Sequence, residues 1–422
     1  MQTLATVIPS TRHRNRAVVS SALGTTIEWY DFFLYGVAAA TVFPRQFFPS
    51  SDPFVATMLS FSTFFVGFVA RPIGAAVFGH FGDRIGRKAL LITTMVLMGV
   101  ATTGIGLVPS YETIGVWGAV LLTVGRVLQG MAVGGEWTAP KRRGFTTSFA
   151  QLGAPAGMVL ANGALALMTV FTDDAEFLAW GWRVPFLASV ALVFVGYWIR
   201  IGVLESPVFE QLKATGKVAA APLLEVMRRH WREIGLTALL RTGQQVPFYI
   251  FTTFIVTYAT QQLGMSRGMV LNFVMLMALV SCFAIPLMGH LSDKFGRRRI
   301  TAIGCWVMVI FPFIYFRMLD TAMLPLVSLA ILISLPLHDL QYGPQAAFIS
   351  ESFPGSLRYS GSSLGYQLAS ITAGGPAPIV AVLLLREFGT STSIAVYMST
   401  CALISLVCVY VLPDRAGSLD QQ

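Results

Sequence analysis

Residues 89–109 and 391–412 carry no charged side chain. A helix rises about 1.5 Å per residue and the hydrocarbon core of a bilayer is about 30 Å thick, so apolar runs of roughly 18 or more residues are long enough to cross it. Runs of this kind recur along the chain and constrain its fold more than any other feature. Of the residues, 55% are hydrophobic and 12% charged, against about 25% charged in a soluble domain. A large soluble all-helical core would need polar faces that these segments lack. The expected fold class is an all-α integral membrane protein with twelve transmembrane helices. The spans are read at about 18–40, 54–79, 89–109, 114–138, 145–170, 182–202, 233–258, 267–290, 300–317, 322–352, 360–384 and 391–412.

Lys and Arg orient the spans. With the N-terminus inside, only Arg45, Arg183, Arg267, Arg317 and Arg386 fall outside, and Arg71, Arg126 and Arg241 lie deep within spans; the rest of the 29 basic residues are cytoplasmic. Both termini are therefore expected in the cytoplasm of a multi-pass protein of the inner or plasma membrane. The stretch up to Arg16 is basic and leads into a run of spanning length, so no cleavable signal peptide is expected. The net charge of +9 reflects loops facing anionic lipid, without the interleaved aromatics of a nucleic-acid surface. Cys282, Cys305, Cys401 and Cys408 lie in apolar runs without metal-ligand spacing and are read as buried packing residues. No metal and no cofactor are expected.

The longest polar stretch follows six spans and precedes six more. It divides the chain into an N-terminal six-helix half (1–204), a cytoplasmic linker (205–232) and a C-terminal six-helix half (233–422). A decapeptide, GHFGDRIGRK, begins at Gly79 after span 2, and a near copy, GHLSDKFGRR, begins at Gly289 after span 8, the equivalent place in the second half. Each copy is read as a tight cytoplasmic turn in which Gly79, Gly82 and Gly86, or Gly289 and Gly296, permit close approach and positive φ. Two parallel halves related by an axis along the membrane normal form the architecture of the major facilitator superfamily, and the repeated loop resembles its loop 2–3 signature. The resemblance implies a cytoplasmic gate built from Asp83, Arg84 and Arg87 in the first copy and Asp293 and Arg297 in the second. Glu351 and Arg358 lie near the second copy's expected partner helix end.

Ionisable groups at bilayer depth cost at least about 2.5–3.5 kcal/mol each, which makes them candidates for function. In GTTIEWYDFFLYG, Glu28 and Asp31 are read as sharing a helix face, with Tyr35 on the same stripe. Two close carboxylates suit a proton carrier, or else pair with an arginine and hold the bundle together. Arg126 lies near the middle of span 4, followed by Gly130 and Gly134 as a small-residue packing face and by Glu136. Arg126 is a candidate counter-ion for a substrate carboxylate or partner for Glu28 or Asp31. Arg71 is read as snorkelling to the cytoplasmic surface. The second half offers Arg241 with Gln244 and Gln245 in span 7, and a span 10 patch of His338, Asp339, Gln341, Tyr342 and Gln345 around the helix-breaking Pro344. His338 is read first as a satisfied hydrogen-bonder and second as a proton carrier.

The segments EWYDFFLYG, GGEW, QLGAPAG, WGWRVPF, IRIGVLESPVF and ESFPGSLRYSG together resemble the metabolite:proton symporter family of this superfamily, from about Ser21 to Val382. That family carries shikimate, 2-oxoglutarate, citrate and related acids, and proline and betaine. The resemblance implies uptake coupled to inward proton flow. It carries the first-helix acids onto Glu28 and Asp31, the fourth-helix pair onto Arg126 and Glu136, and the interhalf signature onto Trp182, Arg183, Pro185 and Glu205. The chain departs from the pattern after Trp137, where GGEW runs directly into TAPKRRGF. A loss of about eleven residues, ~16 Å of helix, is expected to shift Arg126 toward the cytoplasm or to shorten the helix end.

The leading expectation is a secondary active, proton-coupled symporter of a small organic acid, a dicarboxylate or shikimate-like metabolite, working as a monomer. The alternatives are a zwitterion symporter of the proline/betaine kind, with Trp29, Tyr30 and Tyr366 boxing the ammonium, or a non-transporting form caused by the short fourth helix. No Walker motif, HExxH helix or nucleophile elbow occurs, which argues against an enzyme and against ATP-driven transport.

Overall fold

The computed structural model describes residues 11–49, 52–85, 87–136, 151–201, 228–353 and 358–412. Among these residues the chain forms twelve long helices, the membrane spans. They are α1 (Thr11–Thr41), α2 (Pro53–Ile85), α3 (Arg87–Leu107), α4 (Val116–Glu136), α5 (Gly153–Phe171) and α6 (Arg183–Ile201). The second six are α7 (Trp231–Tyr249, continued by Ile255–Gln261), α8 (Arg267–Phe295), α9 (Arg297–Asp320), α10 (Leu324–Glu351), α11 (Arg358–Ala369, continued by Ala377–Phe388) and α12 (Thr392–Val411). Eight of these are long and apolar enough to cross a membrane by length and composition alone; of the other four, α3 is a shorter apolar helix and α6 passes only together with the bent segment before it, which leaves α1 and α7. Both carry buried polar side chains toward the interior, as described below.

The packing repeats with an offset of six helices. Within the first half α1 packs on α5, α2 on α4, α3 on α4 and α6, and α1 on α6; within the second α7 packs on α11, α8 on α10, α9 on α10 and α12, and α7 on α12. The α2–α4 seam needs glycine. A Cβ at Gly130 would lie 2.2 Å from the Gly67 carbonyl oxygen, and one at Gly74 would lie 2.0 Å from the Met131 carbonyl oxygen. The expected small-residue face is thus present at Gly130, where the two backbones touch; the side-chain position of Gly134 falls outside the described set.

The two halves meet where α1 faces α7, α5 faces α8 and α2 faces α11. At the end where α1 and α7 finish, Thr257 Oγ1 donates to the Ala40 carbonyl at 3.3 Å. Two ion pairs join the halves at the same end: Arg267 with Asp174 at 3.5 Å and Arg386 with Asp52 at 3.4 Å. Each arginine also lies over a first-half ring, Phe177 at 4.5 Å and Phe54 at 3.9 Å.

The helices of the second half are interrupted where the interior is polar. Pro247 lies inside α7 and is followed by a π-helical turn at Ile250–Phe254; α11 has a π-helical turn at Ser370–Gly374. Proline removes one backbone donor and clashes with the preceding turn, and widened turns of this type gather at functional sites.

The repeated decapeptide corrects the loop expectation. α2 runs to Ile85 and α3 starts at Arg87, while α8 runs to Phe295 and α9 starts at Arg297. Most of each copy is therefore the last turns of a helix. Gly79, Gly82 and Gly289 are helical. Only Gly296 in the second copy takes positive φ, at 95°; Gly86 lies outside the described residues.

Candidate functional site

A narrow cleft with a cavity of about 20 Å³ lies between the halves. α1 contributes Trp29, α2 contributes Arg71, α7 contributes Arg241, Gln244 and Gln245, α10 contributes Tyr342, and α11 contributes Tyr366 and Gln367. A second cavity adjoins it in the first half, lined by Glu28, Arg71, Arg126 and Gln129. Arg71 lines both. It is 6% exposed, its guanidinium 4.9 Å from the Phe32 ring and 4.6 Å from that of Phe68. The expected snorkelling role is thereby corrected: the helix phase turns Arg71 into the bundle, between two aromatic faces.

Arg126 sits halfway along α4 and is fully buried. Its guanidinium lies 4.3 to 4.8 Å from the rings of Tyr35, Phe32 and Phe64, and Nη1 donates to Gln129 Oε1 at 2.6 Å. Nε and Nη2 have no hydrogen-bond acceptor among the described residues. Space for this side chain comes from Gly67, whose Cβ would lie 2.4 Å from Arg126 Nε. Gln129 Nε2 donates onward to Thr102 Oγ1 at 2.8 Å and toward the Asp31 carbonyl at 3.4 Å. Despite the altered sequence after Trp137, Arg126 is centred in its helix beside the cavity.

The first-helix acids face different neighbours. Glu28 opens onto the cavity shared by Arg71 and Arg126. Asp31, 1% exposed, accepts from Ser189 Oγ of α6 at 2.9 Å. An i, i+3 pair is offset by about 60° around a helix, enough to send one carboxylate to α2 and α4 and the other to α6. Tyr35 donates to Thr63 Oγ1 at 2.7 Å while its ring supports Arg126.

The second half carries a matching arginine. Arg241, 4% exposed, lies 3.5 Å from the centre of the Tyr366 ring and donates from Nη2 to Gln244 Oε1 at 3.4 Å. Gln244 Nε2 stands 3.0 Å from His338 Nε2, and His338 Nδ1 stands 3.2 Å from Asp339 Oδ1. Ser281 Oγ donates to Asp339 Oδ2 at 2.5 Å. Gln345 is buried, both its amide atoms lack a partner among the described residues, and it lines neither cavity. Sequence alone underrated His338, Gln129 and Gln244, whose partners come from distant helices. Their only signal was polarity within apolar runs.

The gate residues divide. Arg297 bonds Glu351 and pairs with Asp293 at 3.3 Å, joining α8, α9 and α10 of one half. Arg298 caps α12, donating to the carbonyls of Val409, Tyr410 and Leu412. The side chains of Asp83, Arg84, Arg87, Glu136 and Arg358 lie outside the described residues, as does Glu205. The rest of the interhalf signature packs the first half: Trp182 is fully buried, Arg183 donates to the carbonyls of Gly106 and Val108, and the Pro185 carbonyl accepts from Tyr30 at 2.8 Å. Cys305 and Cys408 are buried as expected; Cys282 and Cys401 are partly exposed.

Residues 21–377 match the Major Facilitator Superfamily. The chain belongs to this superfamily. It is 40% identical over 413 residues to the shikimate transporter of Escherichia coli K12, covering 94% of each chain, and 39% identical over 409 residues to the inner membrane metabolite transport protein YhjE of the same organism, covering 93% of each. The proline/betaine transporter of E. coli K12 is 30% identical, covering 95% of this chain and 84% of that one. Among solved structures, a D-xylose-proton symporter superposes with a TM-score of 0.75 at 18% identity, covering 96% of this chain and 99% of its own, a likeness of fold. The protein is a secondary transporter of the major facilitator type and a multi-pass membrane protein, with no enzymatic activity.

Proposed function

We propose that this transporter takes up a small organic acid, a dicarboxylate or shikimate-like metabolite, together with protons. One observation carries the reading: Arg71 from the first half and Arg241 from the second, both buried, line the same cleft. Guanidinium groups match carboxylate geometry bidentately, and the surrounding Gln and Tyr side chains supply donors for hydroxyl or carboxylate oxygens. A ligand bridging the two arginines links the halves, which is what alternating access requires of a substrate.

Charge balance supports proton coupling. Arg71, Arg126 and Arg241 are offset by the buried carboxylates Glu28, Asp31 and Asp339. An incoming anion adds an unmatched charge where desolvation is severe. A proton arriving on Glu28, which opens onto the cavity with Arg71 and Arg126, restores the balance. Asp31 is the second proposed proton carrier of the first half, with Tyr35 positioning Arg126.

The zwitterion reading is weaker for a specific reason. Arg241 already covers the face of Tyr366, and Tyr30 is bonded to Pro185 inside the first half. Of the three aromatics an ammonium box would need, Trp29 and Tyr366 line the cleft, and the Tyr366 face is already taken by Arg241. The proposed working unit is a monomer in the cell membrane with both termini cytoplasmic, halves at 1–204 and 233–422, and a linker at 205–232. The repeated decapeptides form the cytoplasmic gate in this reading, with Asp293, Arg297 and Glu351 as its second-half members. The test is shikimate uptake into proteoliposomes under an inward proton gradient. The wild type is expected to accumulate shikimate, and R71Q and R241Q to lose accumulation at least tenfold. Equal uptake by all three would remove the arginine clamp.

A further inference from the structure

The polar chain behind Arg241 has a direction fixed by its donors. A guanidinium can only donate, so the Gln244 atom facing Arg241 Nη2 is Oε1. The other side-chain atom of Gln244 is then the amide nitrogen, 3.0 Å from His338 Nε2. With that amide donating, Nε2 is bare and the imidazole proton sits on Nδ1, 3.2 Å from Asp339 Oδ1. Ser281 donates to the other oxygen of the same carboxylate. His338 and Asp339 are 0% and 1% exposed.

His338 Nε2 also lies 3.2 Å from the Gln244 carbonyl oxygen. The nitrogen thus has a donor beside it when bare and an acceptor beside it when protonated. We infer that His338 is a proton-binding site in the C-terminal half, linked to the anion site through the side-chain amide of Gln244. The inference rests on the reading of Arg241 as an anion-binding group.

The linkage follows from competition for one guanidinium. A substrate carboxylate on Arg241 displaces Gln244 Oε1. The freed amide can then rotate and turn its oxygen toward His338. An imidazolium there donates Nε2–H to Gln244 and keeps Nδ1–H on Asp339, so the buried pair goes from a net charge of −1 to neutral. One proton is gained at Nε2 and no other covalent bond changes. Asp339 remains the carboxylate acceptor throughout. The other titratable groups around the dyad are Arg241 and Tyr249 on α7, Cys282 on α8, Tyr342 on α10 and Tyr366 on α11. Arg71 faces it across the cleft. None of them touches His338 Nε2 as Gln244 does. Tyr342 stacks on the imidazole at 5.8 Å and fixes the ring plane.

The test is the pH dependence of affinity in the full-length protein in detergent, with shikimate, 2-oxoglutarate and citrate as probes, across roughly pH 5 to 8. Each proton linked to binding changes affinity about tenfold per pH unit. The slope of log Kd against pH is expected to be about one unit smaller in H338Q than in the wild type. Q244M keeps His338 and Asp339 but breaks the link, and is expected to lose the same unit of slope. Wild-type slopes in a variant that binds would overturn the linkage and leave the anion site standing. A wild type that binds none of the three acids would overturn the anion reading and the linkage with it.

Discussion

Three glycine-to-alanine changes probe the seam that holds Arg126 in place. At Gly74 the new Cβ would lie 2.0 Å from the carbonyl oxygen and 2.4 Å from the Cα of Met131, so one backbone has to move. Overpacking a tight contact costs about 1–3 kcal/mol, occasionally more, and a backbone obstacle belongs at the upper end. At Gly67 the Cβ would lie 2.4 Å from Arg126 Nε. The guanidinium would have to leave its three rings and its bond to Gln129, and a hydrogen bond to a charged group is worth about 1.5–3 kcal/mol. At Gly104 no described residue of another element lies within 4 Å of an added Cβ, and alanine there is expected to be neutral or to stabilise the helix by up to about 1 kcal/mol. Thermal unfolding of the purified variants in detergent should rank G104A at or above wild type, then G67A, then G74A. G67A should also lose transport beyond its loss of stability, because it displaces the cavity arginine. A G74A protein melting at the wild-type temperature would refute the α2–α4 geometry and the position of Arg126 derived from it.

Arg241→Lys keeps the charge but loses the planar stack on Tyr366 and the forked donors; shikimate affinity should fall at least tenfold, about 1.4 kcal/mol, measured by equilibrium binding. Glu351→Gln weakens the Arg297 pairing on the gate side, and the maximal uptake rate in proteoliposomes should change with substrate affinity intact. Arg386→Ala removes an ion pair whose members are 53% and 45% exposed; such pairs are worth about 0–1 kcal/mol, so the melting temperature should stay within a degree or two of wild type.

The bundle is legible in the sequence because the bilayer imposes a length and a polarity on each span. The turn at Gly296 is legible because the motif is repeated, though the helical character of the rest of the motif is not: glycine in a decapeptide reads as loop, yet backbone hydrogen bonds carry α8 on to Phe295. Arg126 and Arg241 could be picked out as charges in apolar runs. Arg71 carries the same signal, but its direction depends on helix phase at the level of a fraction of a turn, and proximity to the gate motif points the wrong way. Glu28 and Asp31 show the same limit, since spacing gives their shared side of α1 but not that one reaches α2 and α4 while the other reaches α6. His338 becomes informative only when α7 brings Gln244 against it, a contact between residues 94 positions apart.

The most direct measurement is medium alkalinisation by deenergised cells expressing the chain, given shikimate and then the other acids one at a time beside a vector-only control. A substrate-dependent rise in external pH, absent from the control and abolished in R241Q, is the predicted result. Uptake of labelled acid without any pH change would contradict proton coupling, and a rise that persists undiminished in R241Q would contradict the arginine-lined cleft as its route.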